Sequence, residues 1–274
     1  MRSLFLWYRL LTQNLNCAGK LRKVRQIAIE GTVQSLLNAI VSLLYPQRCP
    51  GCQVFVQAGE QFCQGCILFV RPITSPLCLR CGIPFPTHVG PDHECGVCLK
   101  TPPPFRRARA WAYYHFGEAP LQPVSEAIQQ FKYHRNLSVG KLLAQLAAAH
   151  FPFVEQRYDV IIPVPLHLDR LRWRGFNQSL LLSRPIGRIH QIQIDPFLLE
   201  RSRSTVPQTQ LKESERRENV KGAFMVIAPE RIQERQVLLV DDVYTSGATV
   251  AECTKALVRA GAQVVDVFTL ARVV

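Results

Sequence analysis

The sequence contains no long hydrophobic run. Among its 274 residues, the best apolar stretch lies between residues 33 and 44, and polar residues interrupt it. A membrane-spanning helix needs about 20 mostly apolar residues, so the sequence predicts a protein that is not integral to the membrane. Arg9 interrupts the apolar residues at the start of the chain, and no small-residue cleavage site follows before Lys20. Because a secretion signal needs an uninterrupted apolar stretch and a cleavage site, we expect a cytoplasmic protein.

Acidic residues are also scarce, with 20 Asp and Glu against 33 Lys and Arg, which gives a net charge of +13. The basic excess is concentrated: residues 1–48 contain 7 basic residues and 1 acidic one, and residues 105–190 contain 12 and 5. Residues 191–274 are balanced, with 11 of each. Basic surfaces of this kind suit polyanions such as nucleic acid, phosphorylated sugars or membrane headgroups.

The amino-terminal part of the chain divides into two segments. Residues 1–31 are basic and lack periodicity, so they form either a disordered tail or a functional arm. Residues 32–45 predict an amphipathic helix, because apolar side chains recur there at helical spacing. These side chains belong to Val33, Leu36, Leu37, Ile40, Val41 and Leu44. We expect this helix to pack on the following module, with docking on a membrane surface as the alternative.

Cysteine is abundant, and eight of the ten cysteines form four Cys-x-x-Cys pairs. The pairs are Cys49/Cys52, Cys63/Cys66, Cys78/Cys81 and Cys95/Cys98. Two thiolates three residues apart bind one ion from a tight turn, and two such turns complete a closed tetrahedral Zn²⁺ site. The pattern predicts a double zinc ribbon over residues 46–104 with two structural Zn²⁺ ions. Spacing leaves sequential and interleaved pairings open, and disulfides are disfavoured because nothing indicates secretion.

From residue 105 to residue 274 the pattern changes to alternating strands and helices. Strands are predicted at residues 111–116, 160–164, 237–240 and 263–270, and helices at residues 124–132, 137–150, 177–190 and 248–260. This alternation predicts an α/β domain in which helices flank a mostly parallel sheet.

The strand at residues 237–240 leads into two acidic residues, Asp241 and Asp242. Open α/β sheets bind ligands at the carboxyl ends of their strands. A small hydroxyl-rich loop then leads into a helix, so that backbone N–H groups, hydroxyls and the helix dipole converge on an anion. The hydroxyl loop consists of Thr245, Ser246, Gly247, Ala248 and Thr249. The carboxylates and the loop together predict a site for ribose hydroxyls, held directly or through Mg²⁺, and for a 5-phosphate.

A second polar cluster follows the strand at residues 160–164. Its members are Arg170, Arg172, Arg174, Gly175 and Asn177. Asn177 is predicted to cap the next helix, so we expect the arginines to lie at the same sheet edge and to bind pyrophosphate or DNA phosphates. A solvated loop is the alternative. Trp173 and Phe176 lie among the arginines and are suited to stacking on bases.

The segment VLLVDDVYTSGAT resembles the signature of type I phosphoribosyltransferases. Together with the cysteine pairs and the segment PVPLHLDRLRWRGFNQ, it resembles the competence protein F (ComF) family over residues 34–274. The resemblance implies a type I phosphoribosyltransferase-like domain that follows a zinc ribbon. It also implies that Asp241 and Asp242, the candidate catalytic residues, contact the ribose hydroxyls of phosphoribosyl pyrophosphate, and that the hydroxyl loop holds its 5-phosphate.

The resemblance extends to residues 201–224, which in that fold form a flexible loop over the site. The matching positions include Arg203, Thr205, Gln208, Arg216 and Asn219. Taken by themselves, these residues indicate a mobile surface segment or a short charged helix.

Three functions follow from these features. The family resemblance implies a protein that binds phosphoribosyl pyrophosphate and acts in the uptake or processing of single-stranded transforming DNA. The alternative is an active phosphoribosyltransferase, which uses Mg²⁺ with phosphoribosyl pyrophosphate and acts on an unidentified acceptor. A third role makes the zinc ribbon a docking surface for a helicase or another competence protein.

Overall fold

The computed structural model describes residues 46–57, 60–87, 89–115, 122–203 and 213–274. The predicted basic tail and the predicted amphipathic helix lie outside these residues. Within the described part of the chain, no helix is both long enough and apolar enough to cross a membrane.

The chain divides into two compact units. Their bounds are Met1–Arg48 with Val54–Glu60, and Cys49–Gln53 with Gln61–Val274. In the first unit, Arg48 forms an antiparallel bridge with Phe55, and its guanidinium carbon lies 4.3 Å from the centre of that ring. The second unit contains the four cysteine pairs and the whole α/β region. The predicted domain boundary between residues 104 and 105 stays a prediction.

The described residues of the second unit contain six strands and eight α-helices. The strands are β1 (Arg107–Tyr114), β2 (Val160–Pro163), β3 (Leu199–Arg201), β4 (Phe224–Val226), β5 (Gln236–Tyr244) and β6 (Val264–Val273). The helices are α1 (Gln64–Ile67), α2 (Gly96–Lys100), α3 (Pro123–Tyr133), α4 (Leu137–Ala149), α5 (Leu168–Arg174), α6 (Gln178–His190), α7 (Glu213–Val220) and α8 (Ala248–Arg259). A short 3₁₀ helix covers Pro229–Arg231.

Four strands form a parallel sheet in the order β1-β6-β5-β2. Residues 237–240 of β5 are fully buried and apolar, as is typical of a parallel strand that is covered on both faces. Val237 and Leu239 pack in one core cluster with Cys253 and Leu257 of α8. Successive side chains of a strand point to opposite faces, so a buried strand needs cover on both faces. Helix α6 also packs against β5 and β2. The remaining strands, β3 and β4, form an antiparallel pair.

The ribbon segment at residues 71–73 runs along the outer edge of β1. Pro72 forms an antiparallel bridge with Ala112, and the N–H of Ile73 donates to the carbonyl of Trp111 at 2.8 Å. Gly82, with φ of +70°, lies so close to β1 that a Cβ there would be 2.4 Å from the carbonyl oxygen of Ala108. The ribbon therefore packs directly on the sheet, and this knuckle turn requires glycine.

The opposite edge of the sheet is also covered. The N–H of Ile161, in β2, donates to the carbonyl of Gln193 at 2.8 Å, and the N–H of Asp195 donates back to the carbonyl of Ile161 at 2.9 Å. Residues 193–195 thus pair with β2 without forming a regular strand.

Several local features differ from the sequence predictions. β1 begins at Arg107, four residues before the predicted start. β5 continues through the acidic pair to Tyr244, four residues beyond its predicted end. The arginine segment, for which no helix was predicted, forms helix α5. Residues 199–201 and 224–226 form the β3–β4 pair, which the polar sequence between them obscured.

Candidate functional site

A cavity of about 450 Å³ opens where β2 and β5 end. Its lining includes Arg170, Arg174, Asp241, Asp242, Thr245 and Thr249. The volume lies within the range of about 300–1,000 Å³ that is typical of small-molecule pockets. The two sequence segments that predicted a ligand site therefore meet around one cavity.

The acidic pair lies at the base of this cavity and is held by residues from two helices. Asp242 is 5% exposed. Its Oδ1 lies 2.8 Å from Nζ of Lys132, in α3, and its Oδ2 accepts from the amide of Gln178, in α6, at 2.7 Å. Oδ1 of Asp241 accepts from the hydroxyl of Ser179 at 3.0 Å and from the N–H of Asp242 at 2.9 Å.

This arrangement sets the charges of the site. Burial, followed by the negative charge of Asp242, raises the pKa of Asp241 to about 7. Burial alone would lower the pKa of Lys132, but its contact with Asp242 raises that pKa above the usual value. Lys132 is therefore a fixed cation at neutral pH, whereas Asp241 changes its charge there.

The hydroxyl loop joins β5 to α8. Gly247 is the N-cap of α8 and has φ of +74°, and a Cβ there would lie 2.3 Å from the hydroxyl oxygen of Tyr244. Ser246 accepts a hydrogen bond from the N–H of Ala248 at 3.4 Å. Thr245 and Thr249 line the cavity on either side of this turn. The amino terminus of α8 and two hydroxyls therefore face the space where an anion would be held.

Helix α5 directs one face toward the cavity. Arg170, Trp173 and Arg174 are at helical spacing, and all three line the cavity. Arg174 is 8% exposed, and burial lowers its pKa. Arg172 is exposed and lies outside the cavity lining, because its position points away from this face.

Two residues after α5 complete the segment. Gly175 ends the helix in the left-handed conformation, with φ of +85°. Asn177 caps α6 through the N–H of Leu180, and its amide also donates to the carbonyl of Val164 at 3.1 Å. Asn177 thus ties α6 to the end of β2, and this contact positions Gln178 and Ser179 beside the acidic pair.

The eight paired cysteines form two groups of four. The Sγ atoms within each group lie within 4.8 Å of one another; the groups are Cys49, Cys52, Cys63 and Cys66, and Cys78, Cys81, Cys95 and Cys98. A tetrahedral site with Zn–S bonds of about 2.3 Å places its sulfurs about 3.8 Å apart. The Sγ atoms of Cys52 and Cys63 are 3.5 Å apart, and those of Cys81 and Cys95 are 3.9 Å apart. Both groups fit a structural Zn²⁺ ion, with the cysteine pairs grouped sequentially.

Backbone N–H groups point to the sulfur atoms of Cys49, Cys63 and Cys78. The N–H of Cys63 points to Sγ of Cys49 at 3.4 Å, and the N–H of Cys95 points to Sγ of Cys78 at 3.3 Å. The N–H of Cys66 lowers the pKa of Cys63 to about 7. These contacts favour the charged sulfur that Zn²⁺ requires, whereas burial raises the pKa of Cys66, Cys81 and Cys98.

Comparison with known proteins identifies both parts of the chain. A double zinc ribbon domain model matches residues 40–99. The DNA utilization protein YhgH of Escherichia coli O157:H7 is 37% identical over 84% of this chain and 99% of its own length. Competence protein F of Haemophilus influenzae is 30% identical over 82% of this chain and 96% of its own length. The chain belongs to the ComF family.

A solved structure was also matched. The glutamine phosphoribosylpyrophosphate amidotransferase of B. subtilis, complexed with ADP and GMP, is 21% identical, with a TM-score of 0.31. The match covers 57% of this chain and 29% of the amidotransferase chain. The sheet topology and the ribbon match, rather than this weak likeness, confirm the predicted fold class: a mostly parallel sheet with flanking helices follows a double zinc ribbon.

Sequence reasoning missed several residues of the ComF-family cavity. Lys132 lies in the last turn of α3, more than a hundred positions before the acidic pair, and no local pattern marks it. Gln178 directly follows Asn177, the predicted cap of this helix, and lines the cavity. Its position could therefore have been predicted from that cap. Arg201, at the end of β3, also lines the cavity, and burial followed by the charge of Arg170 lowers its pKa to about 10.

The predicted flexible loop is described only in part. Arg203 donates to the carbonyls of Asn219 and Lys221, at 3.1 and 2.9 Å. Arg216 belongs to helix α7, and Thr205 and Gln208 lie outside the described residues. The short charged helix that the sequence alone indicated is therefore present as α7.

Proposed function

We propose that the cavity binds phosphoribosyl pyrophosphate or a related phosphorylated ribose, and that the protein uses this site while it handles single-stranded DNA in natural competence. The observation that carries the first part is the meeting of three features around one cavity: the acidic pair, the hydroxyl loop at the start of α8, and the arginine-bearing face of α5. No single feature is specific, but together they match the three chemical parts of this ligand.

Each part of the ligand has a chemical counterpart. The hydroxyls of Thr245 and Thr249 and the amino terminus of α8 suit the 5-phosphate. The guanidinium groups of Arg170 and Arg174 suit the diphosphate, because planar guanidinium groups bind phosphate oxygens in pairs. A carboxylate of the acidic pair accepts from ribose hydroxyls. Arg174 and Asp242 are buried, so their contacts with a ligand are strengthened by the lower surrounding dielectric.

The DNA-related part of the proposal is supported by the relatives and by the cavity rim. The names of two relatives, DNA utilization protein and competence protein F, concern DNA use and competence. On the rim, Trp173 is 52% exposed and Tyr133 is 49% exposed. The guanidinium carbons of Arg135 and Arg174 lie 5.3 and 6.0 Å from the Trp173 ring. Exposed aromatic rings beside arginines are the arrangement that binds single strands by stacking and charge.

An active phosphoribosyltransferase is the second candidate function, with Asp241 and Asp242 as its catalytic residues. The buried arginines favour it, because they would stabilise departing diphosphate. Asp242 does not fit a directly bound Mg²⁺, since Lys132 and Gln178 already occupy both of its oxygens. Release of diphosphate from phosphoribosyl pyrophosphate with a panel of nucleobase and amine acceptors tests this function.

The zinc ribbon is proposed as the docking surface for a helicase or another competence protein. Val97 and Leu99 of α2 are both more than half exposed, and Leu68, directly after α1, is 81% exposed. Apolar side chains at such positions are available for contact with a partner protein.

Calorimetry with phosphoribosyl pyrophosphate tests the main proposal. Substituting Asp241→Asn together with Asp242→Asn should weaken binding at least about 100-fold, or about 2.7 kcal/mol. The same variant should retain its salt-dependent shift of single-stranded DNA, because the rim residues are unchanged. Unaltered binding of phosphoribosyl pyrophosphate in a folded, zinc-loaded variant would refute the assignment of the acidic pair.

A further inference from the structure

The acidic pair already has a cation of its own. We propose that Lys132 is the permanent counter-ion of this pair, so that the site binds a phosphorylated ribose without a divalent ion shared by Asp241 and Asp242. This inference rests on the proposed function, because it concerns how the same cavity holds its ligand.

Protein donors occupy three of the four carboxylate oxygens. Lys132 and Gln178 contact the two oxygens of Asp242, at 2.8 and 2.7 Å. Ser179 and a backbone N–H share Oδ1 of Asp241. Among the described residues, nothing donates to Oδ2 of Asp241. A single carboxylate oxygen is therefore left for a ligand.

A divalent ion that bridges the two carboxylates would have to displace existing contacts, because both oxygens of Asp242 are occupied. Mg²⁺ binds oxygen at about 2.0–2.1 Å in octahedral geometry and retains most of its waters. On Oδ1 of Asp242, such an ion would meet the ammonium group of Lys132, which lies 2.8 Å from the same oxygen. The side chain of Lys132 is only 17% exposed, so it has little room to move away, and two cations at this separation repel strongly.

The two carboxylates have different roles in this arrangement. Asp242 is fully engaged by its protein partners, so it positions the base of the cavity and keeps Lys132 in place. Asp241 retains the free oxygen and faces the cavity, so it accepts from a ribose hydroxyl. Lys132 and Asp242 are accordingly positioning residues in this scheme, and Asp241 is the residue that contacts the ligand.

Ribose 5-phosphate is the ligand that tests this inference, because it lacks the diphosphate that would itself carry Mg²⁺. Its binding to the full, zinc-loaded chain is measured by calorimetry in buffer without added divalent ions and again with Mg²⁺. We expect the dissociation constant of the wild-type protein to differ less than about twofold between the two buffers. Binding that appears only with Mg²⁺ would overturn the inference and leave the proposed function standing. Absence of binding in both buffers would refute the proposed function itself.

Two substitutions sharpen the test. Lys132→Gln removes the charge, and we expect ribose 5-phosphate to bind about tenfold more weakly without metal, with Mg²⁺ restoring part of the loss. Lys132→Arg keeps a cation and should bind independently of metal, as the wild type does. If Lys132→Gln also binds independently of metal, the charge of Lys132 has no role in the site and the inference is wrong. Unfolding curves and zinc content confirm that each variant is folded, and the wild-type measurement does not depend on them.

Discussion

The zinc ribbon and the cavity depend on the sequence in different ways. Each half of a zinc site lies within four consecutive residues, so that the turn itself places both sulfurs. In the cavity, the charges around Asp242 come from Lys132 and Gln178, which lie on two different helices. Local spacing therefore predicts the metal sites almost completely, whereas the charge balance of the cavity is decided only by tertiary packing.

Loss of one zinc ligand should have the largest effect and tests whether the local cysteine turns form the metal sites. Cys78→Ser removes a thiolate of the second group, and zinc content should fall from about two ions to about one per chain. The free energy of unfolding should fall by about 5 kcal/mol or more, because structural zinc supplies much of the folding energy of such modules. Metal analysis and denaturant unfolding measure both quantities. Cys253→Ser, at a buried cysteine of α8, is the control and should leave zinc content unchanged. Retention of both ions in Cys78→Ser would contradict the grouping.

Gly247→Ala tests the geometry of the hydroxyl loop. The new methyl group meets Tyr244, so we expect about 1–2 kcal/mol of backbone strain and about 1–3 kcal/mol of overpacking, together with weaker binding of phosphoribosyl pyrophosphate. Gly222→Ala is the matched control, because Gly222 has φ of +65° and nothing within 4 Å of a Cβ. Gly222→Ala should therefore lose stability through backbone strain alone, without overpacking. Equal losses of stability in the two variants would argue against a crowded loop.

The pH dependence of stability tests the charge balance of the acidic pair. An unfolded Asp loses its proton near pH 3.9, but folded Asp241 keeps it until about pH 7. The folded state therefore holds the extra proton in this window, and the contribution of Asp241 to stability is lost as pH rises through it. Asp241→Asn should be more stable than the wild type by about 1–3 kcal/mol above pH 7, with the difference vanishing toward pH 4.

Denaturant unfolding at several pH values measures this effect. Glu200→Gln, at an exposed position of β3, controls for the loss of one negative charge and should show no such trend. A constant difference between Asp241→Asn and the wild type across this pH range would disprove the raised pKa.

The smallest expected effect concerns the rim of the cavity. Trp173→Ala should weaken binding of single-stranded DNA about tenfold, since one stacked base contributes about 1–3 kcal/mol. Arg172→Ala, on the opposite side of α5, should weaken it only about twofold by loss of one screened phosphate contact. Fluorescence anisotropy at fixed salt gives both values. Identical losses for the two variants would indicate a diffuse basic surface without a stacking platform.

The sequence predicted the strands of the sheet, the positions of the acidic pair and the hydroxyl loop, and the family. These features depend on short patterns: an apolar strand, a turn of small residues, or paired cysteines. The sequence also contained a signal that the predictions did not use. Arg170, Trp173 and Arg174 have helical spacing, which places them on one face of a helix and separates them from Arg172. Lys132 was beyond such reasoning, since only the packing of α3 brings it to Asp242.

Both edges of the four-stranded sheet carry irregular segments, residues 71–73 beside β1 and residues 193–195 beside β2. A sheet with free outer strands can recruit a further strand from another molecule through its backbone. In the described residues, hydrogen bonds to these two segments occupy part of the backbone of both outer strands. A molecule that added a strand at these positions would therefore have to displace residues 71–73 or residues 193–195.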